Sequence, residues 1–154
     1  MATGNVRWAM LSDCEALTRM RVQLWPDGSA EEHGSELRAA LSGKTNPNAA
    51  MVILVWEAVD GELKGFLEAR LRSHADGCDE AHPVGYVEGW FVNADSRRQG
   101  IGSALLRAAE EWARQQGCRE MASDAEIENT VSQRAHEAAG FRAGSRVVTY
   151  RKRL

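Results

Sequence analysis

The 154-residue sequence lacks the features that mark several common classes of protein. No apolar run reaches the length of about 20 residues that a membrane-spanning helix needs. The N-terminus has no apolar core of the kind found in secretion signals. Basic residues are not in excess, because the net charge is −3. The sequence therefore predicts neither a nucleic-acid partner nor a membrane partner.

Cysteine is scarce, and its spacing excludes two further kinds of site. Cys14, Cys78 and Cys118 are odd in number and lie far apart, which favours neither a disulfide framework nor a metal site. Reduced thiols of this kind are typical of the cytoplasm, so we expect a cytoplasmic protein without a metal ion. The length and the ordinary balance of apolar and charged residues predict one domain over 1–154.

Two common phosphate-binding patterns are absent, but a strand–loop–helix junction of a different sequence is present. No Gly-Lys-Ser/Thr loop and no Gly-x-Gly-x-x-Gly occur. Instead, the apolar stretch 85–92 is followed by Arg-Arg-Gln-Gly-Ile-Gly-Ser at 97–103 and then by an amphipathic helix. Such a junction leaves free backbone N–H groups at the positive end of a helix, and its glycines let an anion approach closely. It predicts a phosphate site, with a plain strand–helix turn as the alternative.

The periodicity of apolar residues predicts the element order β-α-α-β-β-β-α-β-α-β. Strands are predicted over 5–9, 51–58, 65–72, 84–92, 118–124 and 147–151. Helices are predicted over 12–25 and 35–42, from 101, and from Asn129 to Gly140; 27–36 and 43–48 are predicted as loop, apart from the helix start. Gly89, in the middle of a strand, indicates a bulge or a close backbone approach. This order favours a mixed sheet with helices on both faces.

Two motifs in the second half of the chain resemble those of the GNAT acetyltransferase superfamily. Arg97-x-x-Gly100-x-Gly102 resembles its pyrophosphate loop, and Asn129-x-x-Ser132-x-x-x-His136 resembles its later signature. The likeness extends to bacterial aminoglycoside 6'-N-acetyltransferases over nearly the whole chain, most specifically in Gly-Cys-Arg-Glu-Met-Ala-Ser-Asp at 117–124. The resemblance implies the GNAT acetyltransferase fold, an α/β architecture with a single central mixed sheet and splayed strands.

The resemblance also implies that acetyl-CoA is the co-substrate. In this family the pantetheine arm pairs with the strand before the loop, and the pyrophosphate lies on the loop. The implied cofactor-binding residues are Trp90, Phe91, Val92, Arg97, Arg98, Gln99, Gly100, Ile101, Gly102, Ser103, Asn129 and Ser132.

The substrate implied by the resemblance is an aminoglycoside antibiotic, acetylated on its 6'-amine. A polycation suits an acidic pocket, and Glu88 and Asp124 are expected to flank the reacting amine and to take part in catalysis. The other implied substrate contacts are Trp25, His74 and Glu80. His136 stands where the family usually has a tyrosine that is proposed as the general acid; it either takes that role or packs as a structural histidine. Because the family is commonly dimeric, we expect a homodimer.

Other functions stay open at this point. The same cofactor site would serve an acetyltransferase for another amine, such as a polyamine or a peptide. It would also serve a non-catalytic acyl-CoA-binding sensor. A nucleotide-binding protein is disfavoured, because the Walker lysine is missing.

Overall fold

The computed structural model describes residues 1–43 and 50–154, and its centre is a five-stranded sheet in the order β1-β2-β3-β4-β5. The elements are β1 (Gly4–Trp8), α1 (Cys14–Leu24), α2 (Ala30–Leu41), β2 (Met51–Ala58), β3 (Leu63–Arg72), β4 (Val84–Val92), α3 (Ile101–Gln115), β5 (Glu120–Ser123) and α4 (Thr130–Ala138). The first four strands are antiparallel, whereas β5 runs parallel to β4. The predicted α/β fold with one mixed sheet is confirmed. Within the described ranges, no helix is long and apolar enough to cross a membrane.

Helices cover both faces of the sheet, as the sequence predicts. On one face, the cluster formed by α3 and the strands contains Ile101, Leu105, Ala109, Trp112, Leu67 and Val87. On the other face, the cluster formed with α1 and α2 contains Leu17, Met20, Leu37, Val55, Phe66 and Phe91. Burying each large apolar side chain contributes about 1.5–3 kcal/mol, so these two layers fix the sheet between the helices.

Strands β4 and β5 pair at one end only and then separate. Their register runs from Val84 opposite Glu120 to Val87 opposite Ser123, whereas β4 continues to Val92. No strand in the described part of the chain pairs with this edge of β4 beyond Val87. The predicted splay is therefore confirmed, and it opens a gap at the carboxyl ends of two parallel strands.

Strand β4 carries a bulge at Glu88. On β3, Glu68 pairs with Gly89 and the next residue, Ala69, pairs with Val87, so Glu88 has no register partner among the described residues. The extra residue lets Gly89 approach α1 closely: a Cβ added there would lie 2.6 Å from Cη2 of Trp25. The bulge and the close approach predicted at Gly89 are both present. A bulge leaves one residue of a strand without a ladder partner, and here that residue carries a carboxylate.

Helix α2 begins earlier than predicted, because its first turn has a capping box. Ser29 Oγ accepts a hydrogen bond from the Glu32 backbone N–H at 3.1 Å, and the Glu32 carboxylate accepts one from the Ser29 N–H at 2.8 Å. The predicted loop over 27–36 is therefore wrong from Ala30 onward. The loop predicted over 43–48 lies outside the described residues, apart from Gly43.

The strand predicted over 147–151 is not formed. Residues 141–154, all within the described part of the chain, contain neither helix nor strand. Val147, Val148 and Tyr150 are 70%, 75% and 92% exposed. A strand requires a ladder partner, and the sheet of this chain ends at β5.

Candidate active site

The loop before α3 presents backbone N–H groups that have no acceptor. Gly100 is the N-cap of α3 and has a left-handed φ of +83°, and Arg98 also has a positive φ of 59°. No described residue accepts a hydrogen bond from the backbone N–H groups of 98–103; the first bond of α3 runs from the Ala104 N–H to the Gly100 carbonyl at 3.0 Å. The positive end of the helix dipole adds to these donors, and the loop therefore suits an anion such as a diphosphate.

Three side chains around this loop donate hydrogen bonds to backbone carbonyls of the loop, of α3 or of the end of β4. Trp90 donates from Nε1 to the Gly102 carbonyl at 3.1 Å, and a Cβ added at Gly102 would lie 3.3 Å from that nitrogen. Arg97 donates from Nε to the Val92 carbonyl at 3.0 Å, so its side chain turns back to the strand. Gln99 donates in the same way to a carbonyl, that of Asp95, at 3.3 Å.

The other predicted cofactor residues differ in what they leave accessible. Arg98 and Ser103 are exposed beside the loop. Ile101 and Phe91 have buried side chains, with 1% and 8% exposure, so only their backbone could meet a ligand. Asn129 is the N-cap of α4, and its Oδ1 accepts a hydrogen bond from the Ser132 N–H at 3.0 Å.

The two predicted acids lie at the gap between β4 and β5. Glu88 is the bulged residue of β4, and Asp124 directly follows Ser123 at the end of β5. Tyr86 lies two residues before Glu88, and its phenol lies within electrostatic reach of Asp124. Burial, and then the charge of Asp124, raises the pKa of Tyr86 above its ordinary value.

Arg72 contacts Glu88 and Tyr86 from the end of β3. Its Nη2 donates to Glu88 Oε1 at 2.8 Å, and its Cζ lies 3.4 Å from the centroid of the Tyr86 ring. Neither Arg72 nor Tyr86 is predicted from the sequence as a site residue. The two-residue period of β4 was the available signal for Tyr86, since it gives Tyr86 and Glu88 the same face.

Trp25 borders the same region from α1. It is the C-cap of that helix, and its ring lies against Gly89, next to Glu88. A buried ion pair holds the helix there: Arg21 donates to both carboxylate oxygens of Glu68, at 2.6 and 2.7 Å. The Arg21 guanidinium also lies 5.5 Å from the centroid of the Trp25 ring. Because both charges are buried, two parallel hydrogen bonds are needed to compensate for their lost hydration.

His136 lies at the gap between β4 and β5, where it packs between two aromatic rings. Its Nδ1 is 2.7 Å from the Ser132 carbonyl oxygen and therefore donates to it, and its Nε2 is 2.8 Å from Ser123 Oγ. The ring packs edge-on against Trp90 and Phe141, with centroids 5.5 and 5.3 Å away. These contacts fit a packed histidine, and the role of general acid stays a prediction.

His74 and Glu80 lie in the loop between β3 and β4 and are close to each other. His74 Nδ1 is 4.0 Å from Glu80 Oε1, and His74 Nε2 is 3.4 Å from Asp76. Within residues 1–43 and 50–154, no ion pair or hydrogen bond joins either side chain to Glu88 or Asp124. Their contact with substrate stays a prediction. The same ranges contain no group of three or more His, Cys, Asp or Glu that could hold a metal ion.

A loop of free N–H groups, a central helix behind it and a gap between two parallel strands define a class of acyl-CoA-dependent transferases. The comparison with known families agrees: residues 14–141 match the acetyltransferase (GNAT) family, and the chain belongs to it. The predicted GNAT fold is thereby confirmed.

Its relatives among curated proteins include enzymes named aminoglycoside N(6')-acetyltransferase type 1. The one from Klebsiella aerogenes is 46% identical over 149 residues, covering 97% of this chain and 96% of the relative. The one from Stenotrophomonas maltophilia is 39% identical over 150 residues, covering 97% and 94%.

Similar solved structures include two of AAC(6')-Iy. One, in complex with the bisubstrate analog CoA-S-monomethyl-acetylneamine, has a TM-score of 0.87 at 34% identity and covers 99% of this chain and 100% of its own. The other, in complex with CoA, has a TM-score of 0.88 at 34% identity and covers 100% and 97%.

Proposed function

We propose that the protein is an aminoglycoside 6'-N-acetyltransferase, which transfers acetyl from acetyl-CoA to the 6'-amine of aminoglycoside antibiotics and so confers resistance. The observation that carries this proposal is a likeness of up to 46% identity, over nearly the whole chain, to enzymes of that name. The carboxylates Glu88 and Asp124 at the strand gap support it, because a polycation requires an acidic opening.

Acetyl-CoA fits the residues around the gap. The unpaired N–H groups of 98–103, with the exposed Arg98 beside them, would hold the diphosphate. The free edge of β4, from Trp90 to Val92, offers backbone groups to an extended pantetheine arm, as in the addition of a strand to a sheet. Bound there, acetyl-CoA supplies the thioester carbonyl that the amine attacks.

The acids would bind the drug and remove its proton. An aminoglycoside amine is protonated in neutral water, and it must lose a proton before it can act as a nucleophile. Glu88 or Asp124 would hold the ammonium group and accept that proton, directly or through a water molecule. Backbone N–H groups of the separated strands would stabilise the oxyanion, and His136 is our candidate for protonating the departing thiolate. Trp25, His74 and Glu80 would complete the walls of the pocket.

We also propose that the protein acts as a homodimer in the cytoplasm. Val147, Val148 and Tyr150 are exposed, are of residue types that favour strands and have no strand partner in the described part of the chain; the outer edge of β5 is open there too. A second copy could cover both. The three free cysteines support a reducing compartment.

A matched pair of drugs tests the proposed substrate and the site of transfer together. Neomycin carries a 6'-amine, whereas paromomycin carries a hydroxyl there and keeps its other ammonium groups. We expect mass spectrometry to find an acetylated product from neomycin, and paromomycin to inhibit that reaction without being acetylated. Acetylation of paromomycin at a rate like that of neomycin would refute transfer to the 6'-amine. No product from either drug would favour the polyamine or peptide function.

A further inference from the structure

Arg72 introduces a cation into the acidic opening that the proposed function assigns to the drug. Its guanidinium contacts Glu88 through a hydrogen bond of 2.8 Å and stacks on Tyr86, with Cζ 3.4 Å from the ring centroid. The hydroxyl of that ring lies within electrostatic reach of Asp124. One positive group thus lies on the carboxylate of Glu88 and on the aromatic ring that leads to Asp124.

This environment has the chemistry of an ammonium-binding site. A carboxylate acceptor and an aromatic face are the two groups that most often recognise a cation in proteins. Here the carboxylate of Glu88 and the ring of Tyr86 are both occupied by the Arg72 side chain. The Arg72 side chain is 41% exposed, and Glu88 lies outside the sheet ladder, so the contact can break without disturbing the core.

We propose that Arg72 is a specificity-determining residue, whose guanidinium occupies the ammonium position on Glu88 in the free protein and is displaced when substrate binds. This inference rests on the proposed function. Displacement breaks one charge-assisted hydrogen bond and one cation–π contact, so a ligand must gain several ionic contacts to compensate. Aminoglycosides carry several ammonium groups, whereas a diamine offers only one besides the group that reacts. Arg72 therefore disfavours small amines.

Arg70 is the matched control, because it carries the same charge near the same carboxylate. Its Nε is 4.0 Å from Glu88 Oε1, and its Nη2 is 3.2 Å from the sulfur of Met51. Its side chain is 53% exposed. Replacing Arg70 changes the net charge of the opening as replacing Arg72 does, without releasing the 2.8 Å contact.

The test compares three variants, Arg72→Gln, Arg72→Lys and Arg70→Gln, in steady-state kinetics with neomycin and with putrescine. We expect Arg72→Gln to lower KM for neomycin by about threefold to tenfold with kcat within about twofold, because Glu88 is then free. Arg70→Gln should change KM by less than about twofold, and Arg72→Lys should stay near the wild type. The advantage of neomycin over putrescine should shrink in Arg72→Gln.

Salt dependence provides a readout that a purely structural role would not change. In the wild type, the pair that forms between drug and Glu88 replaces an internal pair, whereas in Arg72→Gln it is an additional pair. The KM for neomycin should therefore rise more steeply with salt in Arg72→Gln than in the wild type.

Three outcomes would overturn the inference. The first is a KM for neomycin that stays unchanged or rises in Arg72→Gln, since Arg72 would then support Glu88 instead of competing for it. An equal fall in Arg70→Gln would show that only the net charge matters. If the wild type does not acetylate neomycin, the proposed function fails separately; calorimetric titration of neomycin into the wild type and Arg72→Gln then decides, and equal affinities would overturn the inference.

Discussion

Glu88 and Asp124 are held differently, although both face the strand gap. Glu88 is paired with Arg72 at 2.8 Å, whereas Asp124 is exposed and its charge raises the pKa of the nearby Tyr86 phenol. Both carboxylates are identified from the sequence, because the family resemblance aligns them. Arg72 and Tyr86 are not, because their contacts depend on the cross-strand register, and a single bulged residue decides that register.

The variants Glu88→Gln and Asp124→Asn keep the shape of each side chain and remove its charge. If these acids bind a polycation, each variant should lower kcat/KM for kanamycin by tenfold or more, or about 1.4 kcal/mol. Affinity for acetyl-CoA, measured by calorimetry, should barely change. Glu126→Gln, at an exposed residue just beyond Asp124, is the control and should retain wild-type kinetics. Wild-type efficiency in both test variants would exclude this substrate site.

At the scale of elements, the junction between β4 and α3 can be tested at Gly102. Asp at this position would bring a carboxylate to the N–H groups that are expected to hold the diphosphate. We expect Gly102→Asp to weaken acetyl-CoA binding by about 1–2 kcal/mol or more, through like-charge repulsion and lost close approach. Gly102→Ala separates the two causes, because its Cβ meets Trp90 Nε1 at 3.3 Å without adding charge. Calorimetry of the folded variants measures both, and unchanged affinity in Gly102→Asp would exclude the loop.

The contact between β1 and α1 predicts how stability depends on pH. Burial raises the pKa of Asp13, but hydrogen bonds from Arg7 and from the Met10 backbone N–H outweigh it, and the net pKa lies below the ordinary value of 3.8. A carboxylate with a lowered pKa stabilises the folded state above its unfolded pKa, and this contribution is lost as the pH falls through the folded pKa.

We therefore expect Asp13→Asn to lower the free energy of unfolding by about 1–3 kcal/mol at pH 7, because Arg7 loses a buried charged partner. The difference from the wild type should shrink as the pH falls below 3.8. Urea unfolding of both proteins at pH 7 and at acid pH measures it. A difference that stays constant across this range would show that Asp13 does not carry the pH dependence.

The elements differ in how far the sequence predicts them. Helix α3 is predicted because its apolar stripe runs over four turns at the helical period. The start of α2 is missed because its first turn, Ala-Glu-Glu-His, has no apolar stripe, and only the Ser29–Glu32 capping box marks it. The tail is predicted wrongly for the opposite reason: 147–151 has the residues of a strand, but the described chain gives it no ladder to join.

At the scale of the whole molecule, that tail predicts an association. If a second copy covers it, sedimentation should give twice the mass of one chain. The double variant Val147→Asp and Val148→Asp should shift the protein to the monomer, since charges in an apolar interface are costly. Lys152→Gln, in the same exposed tail, should leave the mass unchanged. A wild-type monomer at micromolar concentration would contradict the proposed homodimer.

On β4, the residues that stabilise the sheet differ from the bulged residue Glu88, which faces the substrate opening. Its neighbours Val87 and Phe91 are both core residues, with 3% and 8% exposure, and changing either would weaken the sheet. Glu88 has no ladder partner in the described chain, so a new side chain there would alter which amines are accepted at little cost in stability. A substitution at Glu88 is therefore expected to change substrate binding and catalysis while the strand keeps its stability.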